Sequence, residues 1–327
     1  MKIKILSIKA LSLISLFSCF LAPYGVAKDI PSVAIAKIIA HGALDAVERG
    51  VVDGLKSRGY IEGETVSITF ENAHGSIPTL AQIATKFTSI DPTVIIAIST
   101  PVAQAMANAT KSSQTSIVFT AVTDAISAGL VKSMEVPGGH ITGTIDFPPL
   151  ADQLGLLMSV HGDVSSVGVL YNPGEANSIK QLQVMEELCA ALNIKLVKAP
   201  VFRITEVLPA ALRVIQQVDG IMIPQDNMVV STLTSLSEIA IRNGKILVAP
   251  DPEGVKAGAL LTIGFSHYQE GFLAGEKAAD IIEGKSPAII PVEMPEDKKP
   301  YVNMQTAEAL NIQLPASLIE KAVKIVP

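Results

Sequence analysis

The strongest constraint on this chain is a regular alternation of short apolar, β-rich runs with amphipathic helical patterns. Residues 33–39 read as a first strand. A helix over 41–58 follows, with Leu44, Val47, Val51 and Leu55 on one face and Gly59 at its end. The rhythm continues with strands at 66–70, 94–98, 117–119 and 141–144. Leu80, Ile83, Ala84 and Phe87 mark one intervening helix, and Ser99-Thr100-Pro101 opens another with proline at its favoured first position. Asp124 opens a helical pattern that runs to Glu135, before the turn at 137–139. A second half repeats the scheme, with helices at 150–158, 176–192, 205–217, 231–243 and 267–283. Its strands fall at 167–171, 195–199, 220–224, 246–249 and 259–263. Strands and helices at this spacing make right-handed βαβ crossovers and parallel sheets. About ten strands exceed one comfortable doubly wound sheet. The expected fold is therefore α/β, with two Rossmann-like, doubly wound parallel-sheet lobes. No low-complexity linker separates them; the short breaks near 144–148 and 264–266 read as a hinge.

Composition narrows the role. The chain has 327 residues, 49% hydrophobic and 17% charged, which suits a filled core and excludes disorder. A net charge of −6 argues against nucleic acid or an anionic membrane surface as a partner. Residues 1–27 read as a secretory signal: Lys2, Lys4 and Lys9, then an apolar stretch, then Gly25-Val-Ala27 as a small-residue cleavage point. The apolar stretch is shorter than the roughly 20 residues that a membrane span needs. Leu16-Phe-Ser-Cys19 resembles a bacterial lipoprotein box, so an anchor at Cys19 is the alternative end to the leader. Cleavage after Ala27 removes three lysines and no acid, giving (25 − 3) − 31 = −9. It also leaves Cys189 alone, a buried thiol with no internal disulfide partner.

In open parallel sheets, ligands sit just past the carboxyl ends of strands. Ser99 and Thr100 lie there, either as a helix cap or as hydroxyls and amides that hold a carboxylate. Thr120, Ala121, Thr123 and Asp124 follow the next strand; Asp124 either caps its helix or pairs with a ligand ammonium. In the second half, Tyr171-Asn172 leads into Glu175, Asn177 and Ser178. Asp226 and Asn227 follow 220–224 in the same way, Asp251 follows 246–249, and Asp146 lies in the first break. His41 and Asp45 start the first helix. Several acids and amides across a cleft favour a zwitterionic amino acid over an anion, because buried charge must be paired. Phe119 reads as core, whereas Phe147 and Phe265, at the breaks, are candidates to stack on an aromatic ligand.

Enzyme chemistry has no support. H-E-x-x-H, C-x-x-C, G-x-S-x-G and G-x-G-x-x-G are all absent. Glu283-Gly-Lys-Ser286 echoes a phosphate loop but lacks the upstream glycine and follows a helix. The five histidines are scattered, with no metal-ligand spacing on one helix. No cofactor or metal is expected.

Taken in order, His41-Gly-Ala-Leu-Asp45, Ile98-Ser-Thr-Pro101 with Gln104, Val118-Phe-Thr-Ala-Val-Thr-Asp124, Gly129-Leu-Val131 and Pro137-Gly-Gly139 form a familiar series. Gly168-Val-Leu-Tyr-Asn172 with Glu175-Ala-Asn-Ser178, and Pro224-Gln-Asp-Asn227, complete it. The chain resembles the ABC transporter substrate-binding proteins of the tryptophan/tyrosine type, over about residues 30–314. The resemblance implies a type I periplasmic-binding fold whose lobes are joined by a three-segment hinge. Lobe 1 would be 28–145 plus 266–288, and lobe 2 would be 146–265 plus 289–327. It further implies a monomer that is secreted across the inner membrane into the periplasm. There it would close on a small solute, an amino acid and an aromatic one first, and deliver it to an ABC permease. A ligand sensor for a membrane receptor or kinase, and a secreted enzyme, are the alternative roles.

Overall fold

The computed structural model describes residues 30–325. The expected leader, with Cys19, lies outside the described residues. The first half runs β1 (Ser32–Lys37), α1 (Gly42–Ser57), β2 (Ser67–Asn72), α2 (Ile77–Ile90), β3 (Val94–Ile98), α3 (Thr100–Ala109), β4 (Ile117–Val122) and β5 (Ile141–Ile145). Then come α4 (Leu150–His161), β6 (Ser166–Tyr171), α5 (Ala176–Ala191), β7 (Lys195–Pro200), α6 (Ile204–Val214) and β8 (Gly220–Met222). α7 (Asn227–Val230), α8 (Leu233–Arg242), β9 (Ile246–Val248), α9 (Pro252–Lys256) and β10 (Leu261–Gly264) follow. The chain ends with α10 (His267–Ile282), β11 (Lys299–Asn303), α11 (Met304–Ala309), α12 (Ala316–Lys321) and β12 (Val323–Ile325).

These strands form two sheets, ordered β2-β1-β3-β4-β5 and β12-β11-β10-β9-β8-β6-β7. The first sheet is parallel throughout. β3 and β4 are buried along their whole length, which is why they read as unbroken apolar runs. β2, at the edge, is only partly covered. One core fills the first lobe. Two cores lie in the second, one on each face of its sheet, with Leu170, Ile221 and Leu247 in one and Val169, Met222 and Ile246 in the other. Among the described residues, no helix is long and apolar enough to cross a membrane.

Several expectations need correction. Residues after Asp124 form turns up to Glu135, not a helix. Asp124 caps them by accepting from the N–H groups of Ile126 and Ser127. The expected helix 231–243 is α8, and a separate short helix that was not anticipated, α7, precedes it. β11 and β12 were not anticipated, and β11 pairs antiparallel with β10. The chain also stays with the first lobe beyond residue 288. Ile290 and Val292 are buried in the first core, and Val292 N–H donates to Met134. The third crossing therefore falls between Glu293 and Lys299.

The helix α10 is the element that ties sequence-distant parts of the site together. It leaves the second sheet at Gly264 and returns to pack against α1 and strands β3, β4 and β5. The approach to α1 is backbone to backbone. A Cβ on Gly271 would sit 2.0 Å from the carbonyl oxygen of Val47, and one on Gly50 would sit 2.1 Å from that of Tyr268. Neither neighbour is a flexible side-chain end, so the helices must separate to admit a methyl group. Gly271→Ala is expected to cost about 3 kcal/mol by overpacking. The measurement is the urea midpoint, and an unchanged midpoint would contradict the contact.

Candidate functional site

The ends of β4 and β3 face the second lobe in strained conformations. Ser99 takes φ 96° between β3 and α3, a region that side chains other than glycine rarely occupy. Ala121 takes φ 52°, where the β4–β5 register shifts between Phe119 and Val122. That bulge removes the Ala121 N–H from the ladder. It donates instead to Glu270 Oε1 at 2.8 Å, on the first turn of α10. Thr144 Oγ1 donates to the same oxygen at 3.3 Å.

A narrow cavity lies between the lobes. Lobe 1 lines it with His41, Ala43, Leu44, Ala121, Thr123 and Asp146, and with His267 from α10. Lobe 2 supplies Asn177, Gln225, Asn227, Val230 and Asp251. The walls carry unsatisfied polar atoms. Both ring nitrogens of His41, Oδ1 of Asp146, Oδ1 of Asn177 and Nδ1 of His267 are buried without a hydrogen-bond partner. Unpaired buried polar groups cost about 1–3 kcal/mol each.

Charge is organised around α10. His267 Nε2 lies 3.4 Å from Asp146 Oδ2. Burial works against a charged imidazole, but the hydrogen bond to Asp146 and the nearby Asp251 and Glu270 prevail, and the His267 pKa is raised to about 9. Burial, reinforced by the Asp146 charge, pushes Glu270 up to about 8. At neutral pH Glu270 is thus a neutral acid and His267 a cation. Burial lowers His41 to about 4, so its imidazole is neutral. Asp146, His267 and Glu270 bring potential metal-ligand atoms within 4.8 Å of one another. One oxygen of each acid is engaged, Asp146 Oδ2 by Gln225 and Glu270 Oε1 by Ala121 and Thr144, while Asp146 Oδ1, Glu270 Oε2 and His267 Nδ1 have no partner. The trio behaves as a hydrogen-bonded hinge cluster.

Of the candidate residues, His41, Ala121, Thr123, Asp146, Asn177, Asn227 and Asp251 line this cavity. Ser99, Thr100 and Thr120 are buried nearby with unpartnered hydroxyls, but none lines it. The other candidates are drawn elsewhere. Asp45 points to the surface and pairs with Lys37 at 2.6 Å. Asp124 caps its turn and reaches Lys180 of lobe 2 at 3.5 Å. Asp226 caps α7 through Val229 N–H and accepts from Ser178 and from Asn172 N–H. Glu175 accepts from Asn177 Nδ2 and from Asn227 N–H and Nδ2, which holds those two amides at the cavity wall. Burial, with the Asp226 charge, raises Glu175 to about 7. Tyr171 packs at the edge of a lobe 2 core, and Asn172 caps its own turn at Gly174. Neither Phe147 nor Phe265 lines the cavity: Phe147 packs on a lobe 2 core, and Phe265 is buried beside His267.

Sequence reasoning missed Gln225, Gln181, His267 and Glu270. Gln225 stood inside a motif already singled out, next to the more conspicuous Asp226. His267 and Glu270 carry no local signal, because their role comes from α10 crossing back to lobe 1.

Comparison with known proteins agrees with this architecture. The family described as ABC transporter substrate binding protein matches residues 32–326. A tyrosine-binding protein from Clostridioides difficile (strain R20291) is 35% identical over 286 residues, 88% of this chain and 82% of that protein. The crystal structure of an ABC domain from Streptococcus pneumonia in complex with L-Trp superposes with a TM-score of 0.86 at 26% identity, covering 90% of this chain and 99% of that one. The ligand-free, open structure of a substrate-binding protein with adhesive properties from Clostridium difficile gives 0.67 at 34% identity, covering 91% and 100%. With an interlobe cavity, two doubly wound lobes and a family match over nearly all the described residues, the chain belongs to the ABC transporter substrate-binding proteins and is a solute-binding protein, not an enzyme.

Proposed function

We propose that the protein captures a zwitterionic aromatic amino acid, tyrosine or tryptophan, and presents it to an ABC permease outside the cytoplasm. The observation that carries this reading is the polarity of the cavity. The Asp146 carboxylate stands in its wall, with Oδ1 buried and unpartnered. The start of α1 lines it too, and Asp251, which caps α9 through Gly254 N–H, stands beside that helix start. The first backbone bond of α1 is from Asp45 N–H to His41, and no side chain caps it. The N–H groups of Ala43 and Leu44 therefore face the cavity without a partner among the described residues. A helix start of this kind holds a carboxylate, and a buried acid with a free oxygen holds an ammonium. Leu44, Val230 and Ala121 supply the apolar part of the wall. The tyrosine-binding relative and the L-Trp complex support an aromatic side chain.

The chain superposes better on the L-Trp complex than on the ligand-free, open structure, although the latter is nearer in sequence. Shared sequence alone would give the reverse order, which supports reading the lobe arrangement here as the closed form. Closure by hinge bending is then the event that the permease reads. The secretory leader over 1–27, with export to the periplasm as a monomer, belongs to the same proposal, as does the alternative anchor at Cys19.

Calorimetry with the purified mature protein tests the ligand. A 1:1 complex with L-tyrosine or L-tryptophan at about 10 µM or tighter is expected, with leucine and the des-amino analogues much weaker. Binding of neither aromatic amino acid would overturn the assignment.

A further inference from the structure

Gln225 makes more contacts between the lobes than its place in the sequence suggests. It follows β8 in lobe 2, where its backbone is fixed on both sides. Its N–H donates to Gln181 Oε1 at 3.0 Å, and its carbonyl accepts from Asn177 Nδ2 at 2.7 Å. The side chain then spans the cleft. Nε2 donates to the backbone oxygen of Asp146 at 3.0 Å and to its Oδ2 at 3.1 Å. Oε1 accepts from Thr123 Oγ1 of lobe 1 at 3.4 Å and from Gln181 Nε2 at 3.3 Å. Asp146 itself belongs to the lobe 1 side, because its own N–H donates to Val122. Every Gln225 bond to Asp146 and Thr123 therefore crosses the moving interface.

We infer that Gln225 is a positioning residue that couples lobe closure to cation recognition. When the lobes close, it takes Asp146 Oδ2 and turns the free Oδ1 toward the cavity. When they open, Asp146 keeps only its His267 contact and its carboxylate can rotate. The acid is thus aimed at the ligand ammonium only in the closed state, and binding is favoured where closure is complete. The amide suits the task because one side chain both donates to the carboxylate and accepts from Thr123 and Gln181. A glutamate at this position would repel Asp146. This inference rests on the proposed reading that a ligand ammonium meets Asp146.

The test is a double-mutant cycle on L-tyrosine and L-tryptophan affinity with wild type, Gln225→Ala, Asp146→Asn and the double variant. Binding too weak for calorimetry is read from the Tm shift at millimolar ligand. Loss of a hydrogen bond to a charged group predicts that Gln225→Ala weakens binding about 30-fold in the wild-type background. The same change should cost less than about 3-fold where Asp146 is already asparagine, because the two act as one unit. Equal losses on both backgrounds would make Gln225 an ordinary interlobe contact and overturn the inference. A wild type that binds neither amino acid would instead remove the reading beneath it, and the inference with it. Gln225→Glu is expected to bind more weakly than Gln225→Ala; tighter binding would also count against the mechanism.

Discussion

Asp146→Asn is expected to weaken tyrosine or tryptophan binding by about 100-fold, the loss typical of a buried charge left without its partner. Asp146 Oδ2 is already committed to Gln225 and lies beside His267. Only Oδ1, buried and unpartnered, is left for a ligand cation. Asparagine keeps the shape and an acceptor but not the charge, and it leaves the cationic His267 to repel an incoming ammonium. Asp124→Asn and Asp45→Asn serve as controls, because both acids lie outside the cavity and answer to Lys180 and Lys37. Each should change affinity by less than about 3-fold, as exposed ion pairs contribute little. Calorimetry on folded variants decides the matter. A loss at Asp146 no larger than at Asp124 would remove the ammonium from this wall of the cavity.

The βαβ rhythm was legible because buried parallel strands have no polar face to obscure it. β3 and β4 are apolar runs in the sequence and are buried throughout in the fold. β11 was hidden for the opposite reason. Lys299 and Pro300 open it, and its first three residues are exposed or only partly covered although β10 and β12 flank it. The stretch after Asp124 read as a helix because Ile126, Leu130 and Val131 have helical spacing. Gly129, at φ 73°, and the cap from Asp124 hold it as turns instead. An Asp with this capping geometry serves a turn as well as a helix.

Strand ends located the cleft, but they could not separate lining residues from supporting ones. Asn177 and Asn227 line the cavity, while Glu175, between them in space, holds both from behind. Asp226, next to Asn227 in sequence, faces away to cap α7. A one-residue step decides which side chain meets the ligand, and that is set by φ and ψ at the loop, not by residue type. His267 and Glu270 were beyond reach from local pattern. Their partners Asp146 and Ala121 are more than a hundred residues away along the chain. Only the return of α10, allowed by glycine contacts with α1, brings them together.

Raising the pH from 7 to 8.5 is expected to lower the melting midpoint of the unliganded protein, and Glu270→Gln is expected to reduce that slope by about half, by proton linkage. The Glu270 pKa is raised from 4.5 to about 8, so the folded protein keeps a proton that the unfolded chain has released. Its contribution is fully present below 4.5 and is lost as pH rises through 8. His267, raised from 6.5 to about 9, has the same sign: present below 6.5 and lost as pH approaches 9. Glu175 also falls with rising pH but has spent most of its effect by about 7. His41 is opposite, because its pKa is lowered to about 4; its contribution is present above 6.5 and lost on acidification. Between pH 7 and 8.5, therefore, Glu270 and His267 set the slope together. Glutamine reproduces the neutral acid and retains an acceptor for the Ala121 N–H. Any constant cost of its amide shifts the whole curve without changing the slope. Parallel wild-type and Glu270→Gln curves over this range would mean that Glu270 is ionised in the folded protein. The hinge cluster would then carry two carboxylates against one imidazolium, and Asp146 would no longer be its single compensating charge.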